Sequence, residues 1–166
     1  MFLGLSVAVV ALGFVLRFVT LAQFAGDIDD PASLLAIKRT SELGYPLFPS
    51  GVLYLQGAVF SYLAAPLAWF LDNTALFDAS RILHVCLASL IVPLSMKLVH
   101  MVTGNVWGTL LVGILVACDP TLIGWSVAIR PYGILAVAVT ALLLLFMYLL
   151  RDGAEARVAG VRVVYL

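Results

Sequence analysis

Three carboxylates, Asp27, Asp29 and Asp30, stand side by side directly after a long hydrophobic run. Lys38, Arg39 and Glu42 follow, and the interval closes on a Gly/Pro-rich stretch ending at Gly51. Arg81 and Arg130 supply two further cations at the edges of later hydrophobic segments. A carboxylate can take the proton of an attacking hydroxyl or amine, and a guanidinium can neutralise a departing phosphate. Held together at a membrane surface, such groups suit transfer chemistry on a phosphate-linked substrate. An ordinary solvated loop has the same composition, and the residues by themselves leave both readings open.

Other chemistry is poorly represented. His84 and His100 are isolated, with no partner at metal-ligand spacing, so no protein metal site is indicated. Both read as structural or interfacial residues. Cys86 and Cys118 lie in apolar stretches and read as buried structural thiols, without a disulfide framework. Nothing in the sequence requires a cofactor.

The elements that must position these groups are membrane helices. Of 166 residues, 64% are hydrophobic and 11% charged, against roughly 25% charged in a soluble domain, and the mean hydropathy is +1.15. Formal net charge is zero, without a basic run, which excludes a nucleic-acid partner on electrostatic grounds. The fold class is all-α: a polytopic helical membrane protein with about four transmembrane helices plus interfacial helices in the first external loop. Spans are expected over 2–24, 82–102, 106–129 and 132–150. The first is too long for a signal-peptide core.

Within the polar interval, Asp29-Asp30-Pro31 reads as an acidic helix start with proline at the first position, and Gly44 as its stop. That predicts an interfacial helix over 31–43. The segment 51–71 is long enough to cross but is interrupted by Gln56, Gly57 and Pro66. An Asp78 cap ahead of Arg81 is expected to open the next span. Counting basic residues favours a crossing at 51–71, because Arg17, Lys38, Arg39, Lys97, Arg151, Arg157 and Arg162 then share the inner face. If 51–71 lies along the interface or re-enters, the acidic loop, Arg81, Asp119 and Arg130 share one face instead, with Lys97 and His100 on the other.

The order of motifs resembles the N-terminal part of GT-C class membrane glycosyltransferases, in particular glycosyltransferase family 39, the protein O-mannosyltransferase and aminoarabinose-transferase group. The resemblance covers about residues 15–150. It rests on Leu16-Arg17-Phe18 at the end of the first span and the acid pair Asp29-Asp30. It continues in Gly44-Tyr45-Pro46-Leu47-Phe48-Pro49-Ser50-Gly51-Val52-Leu53-Tyr54, Ala79-Ser80-Arg81, Trp125-Ser126 and Arg130-Pro131-Tyr132. The chain departs from the pattern at Asp119, where the family has serine, and at Asp30, more often glutamate in the family.

This resemblance implies a polyprenyl-phosphate-linked sugar as donor and a lipid, glycan or protein acceptor. It places the site on the extracytoplasmic face of a bacterial inner membrane and keeps 51–71 from crossing. It makes Asp29 the general base, with Asp30 or Asp27 to orient it or bind the acceptor, and Arg130, Arg81, Lys38 and Arg39 candidates for the phosphate. Tyr54 and Tyr132 become candidates for sugar or phosphate. Family members differ in their use of a divalent metal. They also run to several hundred residues, so the chain is expected to be an N-terminal part of such an enzyme, its end at 161–166 entering a further apolar segment. The rival expectation is a non-catalytic structural or assembly subunit of a membrane complex.

Overall fold

The computed structural model describes the backbone of residues 2–158 and side chains as far as Arg151; the expected apolar segment at 161–166 lies outside the described residues. The described chain is helical, with helices long and apolar enough to make it an integral membrane protein. Helix α1 is Phe2–Gln23, α2 Asp30–Leu43, α3 Ala58–Ala64, continued by a 3-10 turn at Ala65–Trp69. Then come α4 (Asn73–Ser89), α5 (Ile91–Thr103), α6 (Val106–Cys118), α7 (Pro120–Val127) and α8 (Pro131–Val158).

Three stretches meet the length and hydropathy of a span: α1, α4 with α5 (Asn73–Thr103), and α8 over Pro131–Arg151. The pair α6–α7 makes a fourth if its 53° bend is counted within one crossing. Both breaks have a proline cause. Pro93 lacks the N–H that would reach the Ser89 carbonyl, and α4 gives way to α5 at Leu90. Pro120 likewise leaves the Val116 carbonyl without its helical donor, and the chain turns at Asp119. The expected span over 106–129 is therefore built as two helices that meet at Asp119-Pro120.

The segment 51–71 holds only α3 and its 3-10 turn, a twelve-residue apolar stretch over Ala58–Trp69. At about 1.5 Å per residue it reaches roughly 18 Å, short of the 30 Å hydrocarbon core. The crossing that charge counting favoured is not built. Ahead of it, Pro46–Tyr54 folds into a tight hairpin-like turn: Phe48 N–H donates to Val52 O (2.9 Å), Tyr54 N–H to Pro46 O (2.8 Å), and Gly51 takes φ +81°. The start of α4 also differs from expectation. Asp72 is the cap, accepting from Ala75 N–H at 2.8 Å, so the helix begins at Asn73, well before Arg81, and Asp78 lies inside it.

Two apolar clusters hold these parts. One joins α1, α5 and α6 through Val9, Ile91, Val92, Met96, Leu110 and Ala117. Gly13 makes that contact close: a Cβ there would stand 2.9 Å from Val92 Cγ2. The other gathers Ile37 of α2, Phe60 and Ala64 of α3, Leu76 of α4 and Ile129, and so seats the interfacial helices on the bundle beside the α7–α8 junction.

Arg17 is fully buried in α1, the costliest placement for a charge. Its Nη1 donates to Gly13 O (3.0 Å) and Ala117 O (3.4 Å), and its Nη2 to Val116 O (3.3 Å). The guanidinium thus supplies α6 with the donor that Pro120 withholds. The thiols are free; Cys86 is half-buried, but Cys118 is exposed, contrary to the buried pair expected. It sits at the last residue of α6, next to the buried Ala117.

Candidate functional site

The loop between α1 and α2 meets the α7–α8 junction, and the two are sewn together by Asp30. This side chain is 1% exposed. Its Oδ1 accepts from Ile129 N–H at 2.9 Å and its Oδ2 from Asp27 N–H at 2.8 Å. Both oxygens are spent on backbone donors, the arrangement that suits a buried carboxylate. Ser33, one turn later, donates to Ile129 O at 2.8 Å and shares a 3.0 Å hydrogen bond with the Tyr54 hydroxyl. The expected acid cap of α2 has a different form: Asp29 occupies the position, but its side chain makes no capping hydrogen bond.

These anchors set Arg130 against the acids. Its Nη2 contacts Asp27 Oδ1 and lies 2.9 Å from Asp29 Oδ2. Asp27 Oδ1 also accepts from Asp29 N–H at 3.1 Å, which fixes the loop. The hydrogen bond from Arg130, with the Asp29 amide adding to it, holds the Asp27 carboxyl below the ordinary carboxylate range. The same bond raises Arg130, so the guanidinium stays charged. Asp29 is the exposed member, with 57% of its side chain accessible against 26% for Asp27 and 27% for Arg130. Asp29 Oδ1 and Arg130 Nη1 have no partner among the described residues.

Two further residues brace the cluster from α4. Arg81 Nη2 donates to Phe24 O at 2.7 Å, and its guanidinium lies between the Phe24 and Phe77 rings, 5.5 and 5.4 Å from their centroids. It tethers the end of α1 where the acidic loop begins. His84 is wholly buried, with Nδ1 2.9 Å from Ser126 O and Nε2 2.8 Å from Arg130 O. A neutral imidazole donates through one nitrogen only, whereas an imidazolium serves both carbonyls. Phe60 meets the ring edge-on at 5.0 Å. Sequence reasoning gave His84 no part in the site; its position three residues after Arg81, on the same helix face, was the available signal.

The structure thus brings together Asp27, Asp29, Asp30 and Arg130 of the expected groups, and backs them with Arg81 and Tyr54. It does not bring in Lys38, which donates to Asn73 Oδ1 at 2.5 Å, or Arg39, paired with Glu42 at 2.9 Å on the exposed side of α2. Tyr132 stands two residues from Arg130 and packs on Trp125 (centroids 5.5 Å apart), and both rings line a groove of about 400 Å³ with Leu135, Ala136, Val139 and Thr140. Asp119, separate from the cluster's ion pairs, caps α7 by accepting from Leu122 N–H at 2.8 Å. Among the described residues no group of three His, Cys, Asp or Glu side chains is placed to hold a metal.

No family model, curated protein or solved structure matches the chain.

Proposed function

We propose that the chain forms the catalytic face of an inverting GT-C-like membrane glycosyltransferase. Its donor is a polyprenyl-phosphate-linked sugar and its acceptor a lipid, glycan or protein hydroxyl or amine. The site works at the extracytoplasmic face of a bacterial plasma membrane. The observation that carries this reading is the pairing of an exposed carboxylate, Asp29, with a braced guanidinium, Arg130, at the end of a span.

In this reading the donor phosphate displaces Asp29 from Arg130 and takes the free Nη1 as well. Asp27 remains on Nη2 and keeps the guanidinium in place. Asp29, released from its ion pair, accepts the acceptor's proton as the new bond to the anomeric carbon forms. The bond from that carbon to the phosphate oxygen breaks, and its electron pair leaves with the lipid phosphate, where Arg130 stabilises the charge. Asp30 positions the loop and takes no proton. The groove beside Tyr132 lies where the first isoprenoid units would leave the phosphate.

The test is transfer of labelled sugar from polyprenyl phosphate in membranes carrying the protein. Asp29→Asn abolishes transfer and leaves expression and melting temperature unchanged; near-wild-type turnover removes Asp29 as the base. Arg130→Gln weakens donor binding, read as loss of donor-induced protection of the acidic loop. One observation favours a second reading, a non-catalytic assembly subunit: Arg130 is already neutralised by two acids, as in a structural latch. That reading requires transfer to survive both Asp27→Asn and Asp29→Asn.

A further inference from the structure

At the other end of the bundle, some 30 Å along α1 at 1.5 Å per residue, lies a groove unrelated to the acidic loop. Its volume is about 500 Å³ and its wall is almost wholly apolar. Phe2, Ser6 and Val10 contribute one stripe of α1, while Pro93, Met96 and Lys97 contribute the facing stripe of α5. Thr109 of α6 also borders it. The groove follows α1 from Phe2 to Ala11, about 13 Å at the helical rise. His100 stacks on Phe2 with centroids 5.7 Å apart, and its Nδ1 has no hydrogen-bond partner. Lys97 is exposed at the lip and has no ion pair among the described residues.

A bare apolar groove inside a bilayer selects nothing, because tails are as apolar as the wall and no hydrophobic gain accompanies the exchange. A cation at the groove's lip changes that. Lys97 lies seven residues before Gly104, where α5 stops in a left-handed turn. Its backbone is therefore roughly 10 Å from the helix end, which puts the ammonium within snorkelling distance of the headgroup layer. We infer that this groove is a binding site for one anionic phospholipid, with an acyl chain along α1 and α5 and the phosphate on Lys97. The occupant is a lipid rather than a free anion because the charge is single and the rest of the wall is almost wholly apolar, with the Ser6 and Thr109 hydroxyls donating to their own helices. The site does not depend on the reaction proposed for the opposite face.

Spin-labelled phosphatidylglycerol and phosphatidylcholine test this with the whole chain reconstituted in phosphatidylcholine bilayers. The wild type is expected to immobilise phosphatidylglycerol with roughly fivefold preference, the effect of one basic residue near the lipid phosphate. Lys97→Gln brings the two probes to parity. Ala11→Trp keeps the charge but fills the groove, and lowers the immobilised fraction of phosphatidylglycerol. Millimolar inorganic phosphate leaves the phosphatidylglycerol signal unchanged. Equal immobilisation of the two lipids by the wild type, an unchanged preference in Lys97→Gln, or displacement by phosphate would each overturn the assignment.

Discussion

Replacing Asp30 by asparagine separates a positioning acid from a reacting one. In the native loop each carboxylate oxygen accepts one backbone N–H, from Ile129 and from Asp27, in a site closed to water. Asparagine keeps one acceptor and turns an NH₂ donor toward the other amide. Leaving a buried N–H without a partner costs about 1–3 kcal/mol, so about 2 kcal/mol is the expected loss. The loop and the α7–α8 junction are linked locally, so this loss falls on local opening rather than on the whole bundle. Amide exchange in peptides spanning 24–31 and 126–131 then accelerates roughly 30-fold, the equivalent of about 2 kcal/mol. Exchange in α5 and α6 stays as in the wild type. Unchanged protection at both peptides would refute the role of Asp30 as the stitch. Loss of transfer without faster exchange would return Asp30 to the chemistry.

Acid should open the same loop from another side. The Asp27 carboxyl is depressed by Arg130, so its contribution is complete above the ordinary carboxylate range near 4 and is lost as pH falls through the lower folded value. Loop exchange, corrected for its intrinsic pH dependence, should be flat from neutral pH to about 5 and rise only below about 4; Asp27→Asn removes that acid limb. Two helical glycines should respond with opposite signs. Gly13→Ala, with Val92 Cγ2 2.9 Å from the added methyl, destabilises by about 1–3 kcal/mol, whereas Gly124→Ala, with nothing within 4 Å, is neutral or stabilising by up to about 1 kcal/mol. Thermal unfolding in detergent checks both. In a background with Cys86 and Cys118 replaced, cysteines at Ser41 and Lys97 should react with impermeant thiol reagents from opposite sides of the membrane. Labelling from the same side would defeat the shared-face arrangement of loop and Arg130.

The helical membrane architecture was legible because length and hydropathy alone decide it, and α1, α2 and α8 begin within a residue of where caps and hydropathy place them. The start of α4 was not, because Leu76 and Phe77 gave no apolar run until packing on α2 and α3 made their helix amphipathic. The bend at Asp119-Pro120 was visible as a proline but not as a 53° turn, since the donor that makes it tolerable comes from Arg17, a hundred residues away. Asp29 and Asp30 are the same residue type side by side, and it is the Ile129 and Asp27 amides that make Asp30 the buried, structural one. Lys38 and Arg39 drew attention by charge just as Asp27 did, but only Asp27 lies in the loop that the Arg130 guanidinium reaches.

The contact between Arg17 and the end of α6 also orders events during synthesis. Its acceptors, Val116 and Ala117, follow it by 99 and 100 residues. At about 5–20 residues per second the gap is roughly 5–20 s, during which α1 carries an arginine with only the Gly13 carbonyl of its own helix to satisfy it. An arginine at the middle of a membrane helix disfavours insertion by about 2.5–3.5 kcal/mol, and Arg17, six residues from the end of α1, by less than that. The first helix is thus made early, while two of the three carbonyls that satisfy its arginine arrive only with α6. Cutting synthesis off before residue 116 should leave α1 more extractable from the membrane than in the chain carried past it.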